Sequence, residues 1–263
     1  MNKENNIVTK RREKILDYLK INGELSTNEL SEKFHISPLT LRRDLQTLEK
    51  EGLVIRYYGG AKLANINKTR EFTSKNDILS NKKHCIAKHA ASLIQDGDTI
   101  FINSSSTALL ILNYLGDKRV NVITNNGHAL ELDLGPNIEL ILTGGQVYPR
   151  KQSLIGEFAT YIFTKIAANK CFLGVSGISA DFGITTSVIQ ETLVNREMIK
   201  NCNGPTYILT DSSKVGKRLD FSSGEIDEIS HLITDSDISK TEIENLEAKG
   251  VGVISLDYTA EKI

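Results

Sequence analysis

The sequence predicts an α/β protein in two parts. A small N-terminal unit of short helices closes on a strand pair, and a larger unit is built on an open, mostly parallel α/β sheet. Three observations predict this. Apolar residues in positions 10–63 recur at helical spacing and end in a Gly-Gly hairpin signal. Positions 99–255 alternate near-continuous apolar runs with helical segments, the pattern of strands covered on both faces. The charge divides at the same place: residues 1–62 carry 12 Lys/Arg against 9 Asp/Glu, a net +3, and the rest of the chain 20 against 24, a net −4. A basic excess confined to one end points to a polyanionic partner there.

Composition narrows the class further. The chain has 263 residues, 40% apolar and 25% charged, as expected of a soluble globular protein. Its apolar stretches are broken by Asn, Gly or Asp well short of the roughly 20 residues a membrane span needs. Met1–Asn6 is polar with no apolar run behind it, unlike a secretory leader. Cys85, Cys171 and Cys202 are odd in number and far apart, which fits reduced thiols in the cytoplasm. His35, His84, His89, His128 and His231 are scattered, none at metal-ligand spacing, and are read as structural. No metal or cofactor is expected.

The elements follow in order. Ile15, Leu16 and Leu19 form a helical stripe stopped at Gly23. Ser26-Thr27-Asn28-Glu29 is a capping box that opens a second helix, with Leu30 and Phe34 inward and His35-Ile36 as the turn. Ser37-Pro38 starts a third, with a Ser cap and Pro at the first helical position. Leu41, Leu45 and Leu48 face inward. Leu39, Arg43 and Gln46 then point outward, flanked by Thr40, Arg42 and Thr47. Arg reads guanine O6/N7, Gln reads adenine, and Thr meets a phosphate or a thymine methyl, so this face suits DNA. Gly52 ends the helix. Leu53–Tyr58 reads as a strand, Gly59-Gly60 as a tight turn and Ala61-Lys62-Leu63 as the return, a wing that places Arg56 and Lys62 near a backbone. A bundle with a solvated charged face is the alternative.

Ser37-Pro38-Leu39-Thr40-Leu41-Arg42-Arg43-Asp44-Leu45, Leu48-Glu49, Gly52-Leu53-Val54 and Tyr58-Gly59-Gly60-Ala61 closely resemble the winged helix-turn-helix of the DeoR family of bacterial transcriptional regulators. The resemblance covers Lys10 to Leu63, with Tyr58 where the family usually has His. It implies that Ser37, Leu39, Thr40, Arg42, Arg43, Gln46, Thr47, Arg56 and Lys62 meet DNA.

Ala64–Ser80 is polar and shows little periodicity, and is read as a linker between a domain at 1–63 and one at 81–263. Beyond it, strands are expected at Thr99–Ile102, Val120–Ile123, Ile138–Leu142, Cys171–Val175, Tyr207–Leu209, Leu232–Ile233 and Val251–Ile254. Helices are expected at His84–Gln95, Ala108–Leu115, Ile155–Ile166, Gln190–Asn201 and Lys240–Lys249. In such sheets ligands bind at the carboxyl ends of strands. Four of those ends are polar, Gly-rich or charged: Asn103 to Thr107, Thr124-Asn125-Asn126, Thr143-Gly144-Gly145 and Thr210 to Lys214. Ser104 to Thr107 enter a helix, where free N–H groups and hydroxyls make an anion cradle, although a Ser/Thr cluster is also a common helix cap.

The same stretches, with Lys82–Lys88, Asp96-Gly97-Asp98, Gly156, Gly174, Gly177, Gly183 and Asp211–Lys214, resemble the DeoR-family effector domain, related in fold to ribose-5-phosphate isomerase. The resemblance implies a phosphorylated sugar held at the phosphate by Ser104, Ser105, Ser106 and Thr107. It gives Asp211 and Lys214 contacts to sugar or phosphate, and Lys83 and Lys75 added positive charge. Thr124, Asn125, Gly144 and Gly145 would complete the site. Asn103 stands where the family usually has Asp, and Asn195 where it often has Lys. The expectation is a cytoplasmic repressor of sugar-metabolism genes, a dimer or tetramer on operator DNA, not an enzyme. An aldose–ketose isomerase and a ligand-blind architectural DNA-binding protein are the competing readings.

Overall fold

The computed structural model describes residues 11, 12, 14–16, 18, 19, 24–34, 36–50, 54–57, 60–63 and 66–258. Gly23, His35, Gly52, Leu53, Tyr58 and Gly59, each assigned a turn or strand position from sequence, lie outside them. The chain divides into two compact units between Asp77 and Ile78.

In the first unit, the described residues between 11 and 19 are helical (α1). Then follow β1 (Glu24–Ser26), α2 (Thr27–Phe34), α3 (Pro38–Lys50), β2 (Val54–Tyr57) and β3 (Gly60–Leu63). The capping box holds: Glu29 N–H donates to Ser26 Oγ at 3.2 Å and Ser26 N–H to the Glu29 carboxylate at 2.7 Å. Ile15, Leu19, Leu30, Leu41, Leu45, Leu48, Val54 and Ala61 form a closed core. Gly60 lies in β3 opposite Tyr57, not in the turn, because the hairpin register pairs Val54 with Leu63. Strand β1, which has no alternating pattern to announce it, adds to β3 to give the order β1-β3-β2.

From Ile66 on, the residues read as a linker are helical. Helix α4 spans Ile66–Ser92. Residues 66–92 contain neither Gly nor Pro, so nothing in the chain stops a helix there.

The second unit carries a seven-stranded sheet, order β15-β14-β12-β9-β4-β5-β6, in which every pairing is parallel. The strands are β4 (Thr99–Ile102), β5 (Val120–Thr124), β6 (Ile138–Leu142), β9 (Lys170–Gly174), β12 (Thr206–Leu209), β14 (His231–Asp235) and β15 (Gly252–Leu256). Side chains alternate between two cores. Ile100, Ile102, Val122, Phe172 and Leu209 join one, with Ile86 and Ala90 of α4. Phe101, Ile123, Cys171, Leu173 and Ile208 join the other, with Val194 and Met198 of α7 (Ile189–Lys200). Helix α8 (Lys240–Glu247) precedes the last strand.

Two expected helices are shorter than the pattern suggested. Ala108–Leu115 becomes α5 (Ser106–Leu109), tightening into a 3₁₀ turn over Leu110–Tyr114. Ile155–Ile166 becomes α6 (Glu157–Tyr161) and a 3₁₀ turn over Ile162–Lys165. Ile155 itself ends β8 (Ser153–Ile155), which pairs with β7 (Gln146–Tyr148), and Gly156 at φ 87° breaks the chain between strand and helix. A small antiparallel sheet, β10 (Gly177–Ser179), β11 (Gly183–Thr186) and β13 (Phe221–Gly224), was not expected at all.

The strand order reverses at β4. The chain runs outward through β5 and β6, then returns to place β9 on the other side of β4. The crevice beyond the carboxyl ends of β4 and β9 is therefore a topological switch point, where open α/β sheets bind ligands.

Candidate functional site

In the first unit the outward face of α3 carries the predicted side chains. Leu39, Arg42, Arg43 and Gln46 are exposed, and Thr40 and Thr47 are half-buried. Ser37 caps the helix: its Oγ accepts from Thr40 N–H at 3.2 Å and lies 2.9 Å from the Thr40 hydroxyl. Thr47 turns its hydroxyl back to the Arg43 carbonyl at 3.1 Å. Leu39, 60% exposed on an otherwise polar face, is an apolar contact left open. Arg56 uses one edge of its guanidinium on Glu49 at 2.9 Å, which ties β2 to α3. Lys62 pairs with Ile55 in the hairpin, and its side chain lies outside the described structure. Asp44, 2% exposed, was not singled out from sequence. It accepts from Arg11 at 2.6 Å and Arg12 at 3.0 Å and so anchors α1 on α3.

In the second unit a cleft of about 490 Å³ opens at the switch point. The segment after β4 supplies Asn103, Ser104, Ser105 and Ser106, the end of β9 supplies Gly174, and Lys214 follows β12. Ser105 caps α5, its Oγ accepting from Thr107 and Ala108 N–H. It packs so closely on β9 that a Cβ at Gly174 would sit 1.8 Å from its Oγ, so only glycine fits there. Ser106 stays exposed and receives Lys83 Nζ of α4 at 3.5 Å. Helix α5 is only four residues long, so what this end offers an anion is two cations and hydroxyls rather than a helix dipole. Burial, and then the nearby Lys214 ammonium, push the Lys83 pKa down, with Asp211 acting in the opposite sense. Two like charges held close at the mouth of a cleft favour an anion between them.

Asn103 is the hinge pin of the crevice. Its Nδ2 donates to the Gly174 carbonyl at 2.9 Å and to Asn195 Oδ1 at 3.1 Å, and its Oδ1 accepts from the N–H groups of Gly174 and Ser105. A carboxylate could make only the accepting half of these bonds. Asn103 and Asn195 are thus partners, a neutral amide pair.

Other expected residues stand behind the cleft. Thr107, Thr124 and Asn125 are buried, and the last two bond to Asn126 N–H and the Leu154 carbonyl. Asp211 caps the 3₁₀ turn over Ser212–Lys214, accepts from Ser213, and pairs with Lys214 at 3.5 Å. Gly144 and Gly145 turn β6 into β7; at Gly145, φ 103°, a Cβ would press 2.6 Å from the Ile155 carbonyl. Lys75 falls in the first unit, and its side chain lies outside the described structure.

Of the remaining cleft residues the sequence marks Asn126, at a strand end, and Asn195, as a departure, and it misses the rest. Glu191, 8% exposed, accepts from Lys151 Nζ at 2.7 Å, Thr186 Oγ1 at 3.0 Å and Ser104 Oγ at 3.4 Å. Asn126, His128, Thr185, Asn195 and Ser223 complete the far wall. His128, read as structural, faces the cleft while bonding Glu131 at 3.2 Å. Glu191 and Asn195, four apart in an expected helix and so on one face of it, are the sequence signal that could have pointed there.

Residues 79–236 match the model of the DeoR C terminal sensor domain, and residues 11–67 that of the DeoR-like helix-turn-helix domain. The chain belongs to the DeoR family. It is a DNA-binding transcriptional regulator with a sensor domain, and the family acts in regulation, not catalysis. Among its DeoR-family relatives, the HTH-type transcriptional regulator GolR of Listeria innocua is 35% identical, over 92% of this chain and 96% of that protein. The lactose phosphotransferase system repressor of Lactococcus lactis is 34% identical over 89% and 94%. The glycerol-3-phosphate regulon repressor of Escherichia coli is 29% identical over 87% and 91%. Ribose 5-phosphate isomerase A of Methanocaldococcus jannaschii aligns over 55% of this chain and 56% of that one at 22% identity and a TM-score of 0.37, too low to bear on the fold. No helix among the described residues is long and apolar enough to cross a membrane.

Proposed function

We propose that this DeoR-family protein is a cytoplasmic repressor of carbohydrate-metabolism genes, released from its operator by a phosphorylated sugar bound in the sensor cleft. The observation that supports the reading best is the nearness of Lys83 and Lys214, with Lys83 on Ser106, at a cleft whose other charged pair, Lys151 and Glu191, bond each other. The relatives' names, a lactose phosphotransferase system repressor and a glycerol-3-phosphate regulon repressor, support the class of target genes. Operators of this kind have two half-sites, which calls for a dimer or a tetramer.

On the DNA side, Leu39, Thr40, Arg42, Arg43 and Gln46 enter the major groove, and the hairpin holds Arg56 and Lys62 against phosphates. Arg43→Ala weakens specific operator binding by about 1–3 kcal/mol if Arg43 reads a base. Fluorescence anisotropy at fixed salt, on DNA from upstream of the protein's own gene, measures this; an unchanged affinity removes Arg43 from the readout. The same titration with a panel of sugar phosphates tests the whole reading. Tight binding that one sugar phosphate reverses supports it, and equal weak binding to operator and scrambled DNA sinks it.

On the effector side, only a difference in ligand affinity between DNA-competent and incompetent states moves the equilibrium. Going from 1:99 to 99:1 takes about 5.5 kcal/mol. The lowered Lys83 pKa predicts a pH dependence. Phosphate binding weakens as pH climbs from neutral through that pKa, because the cation is lost earlier than from an ordinary lysine. Lys83→Met removes this part of the profile. Calorimetric phosphate affinity across alkaline pH checks it, and an identical profile in the variant would exclude Lys83 from the site. An isomerase reading finds no support here, because the chain belongs to a family of transcriptional regulators.

A further inference from the structure

The cleft is far larger than a phosphate group, so most of it faces the organic part of the ligand. One residue on that side is left incomplete by the protein itself. Ser223 is 1% exposed, lines the cleft, and its Oγ has no hydrogen-bond partner among the described residues. Five other buried polar atoms share that condition, on Asn125, Ser153, Thr210, His231 and Thr234, but none of those residues lines the cleft. A buried hydroxyl without a partner is costly, and native folds rarely keep one.

The backbone shows how Ser223 is aimed. Ile184 pairs with Gly224 and Thr185 with Ser222, so Ser223 is the extra residue of a β-bulge in β13. Bulges bend a strand and re-aim one side chain, and they are frequent beside binding sites. Strand β13 packs along α7, which brings Asn195 to the same wall. Asn195 spends its Oδ1 on Asn103. The residues that β11 and β13 give to the cleft, Thr185, Thr186 and Ser223, are neutral, whereas Lys83 and Lys214 stand on α4 and after β12. Lys151 and Glu191 also line the cleft, but they bond each other at 2.7 Å and offset in charge, so the excess positive charge lies with Lys83 and Lys214.

We propose that Ser223 is a specificity-determining residue that hydrogen-bonds a hydroxyl of the sugar or polyol part of the effector, while Lys83, Lys214 and Ser106 take its phosphate. A serine hydroxyl both donates and accepts, which matches a sugar hydroxyl and discriminates against ligands that lack one at that place. The proposal rests on the cleft being the effector site.

The test is calorimetry on the full chain with inorganic phosphate, sn-glycerol 3-phosphate, ribose 5-phosphate and fructose 6-phosphate. At least one sugar or polyol phosphate binds more tightly than inorganic phosphate. Ser223→Ala weakens the tightest of them by about three- to tenfold, as expected for one hydrogen bond. It leaves inorganic phosphate unchanged and does not lower the Tm of the ligand-free chain, because an unpaired hydroxyl has been removed. A structural serine would behave oppositely: the Tm would fall and all four ligands would weaken together, which overturns the proposal. It is also overturned if no probe exceeds inorganic phosphate, or if Ser223→Ala binds the tightest probe as wild type does. Lys214→Met separates the two levels. If that variant still binds inorganic phosphate normally, the effector-site reading itself falls; if it does not, and Ser223→Ala is silent, only the role of Ser223 falls.

Discussion

Leu45→Ala abolishes operator binding at growth temperature while leaving phosphate binding in the sensor intact. Leu45 is 1% exposed, in a core to which eight buried residues contribute among the described ones of the first unit. Truncating a buried leucine costs about 2–5 kcal/mol, through lost transfer energy and the cavity left behind. A unit of this size buries too little surface to absorb that loss. At about 3 kcal/mol, its melting temperature drops by roughly 12–24 °C. Differential scanning calorimetry of the full chain, read beside operator anisotropy and phosphate titration, separates the units. An unshifted thermogram with unchanged DNA affinity would mean that Leu45 does not hold the reading helix in place.

Ser106→Glu removes the effector response without weakening the DNA complex. Ser106 is exposed at the cleft and receives Lys83 at 3.5 Å, with Lys214 close enough to depress the Lys83 pKa. A carboxylate at this position pairs with the lysine from within the chain and repels an incoming phosphate. Losing two charge-assisted bonds, each worth about 1.5–3 kcal/mol, weakens the sugar phosphate by about 100-fold or more. The operator complex then persists at effector concentrations that release the wild type. A variant that still responds normally would move the phosphate away from Ser106.

The parts of the fold legible in sequence are those whose side chains must be uniform. All seven strands of the parallel sheet show as apolar runs: the five inner ones are largely buried, and the edge strands β6 and β15, half-buried, keep enough apolar residues to show, while the outward face of α3 shows because Leu41, Leu45 and Leu48 fix its opposite side. The small sheet was hidden by its composition. Gly177-Ile178-Ser179, Gly183–Thr186 and Phe221–Gly224 are short and rich in Gly, Ser and Thr, with no apolar run to mark them. That sheet is where Thr185, Thr186 and Ser223 come from, so their part of the far wall was lost with it. Helix α4 was hidden for another reason: the residues before Ser80 are polar and aperiodic, and only the absence of Gly and Pro spoke for a helix. Asn103 and Asn195 stood out as departures, but 92 positions separate them, and their bond depends on β9 returning beside β4.

That return also sets the order in which the protein becomes functional during its synthesis. The core of the first unit runs from Ile15 to Ala61, so it can close before any strand of the large sheet has been made. The cleft gathers residues from Lys83 to Ser223, and β9 can take its place only after β4, β5 and β6 have left the ribosome. At about 5–20 residues per second, the roughly 160 residues from Leu63 to Ser223 take on the order of 10–30 s to translate. During that interval each nascent chain carries a DNA-reading element with no sensor. A stop codon anywhere in that stretch makes the state permanent, giving a fragment blind to metabolism. Loss of the same unit from the other end leaves a receptor with nothing to control.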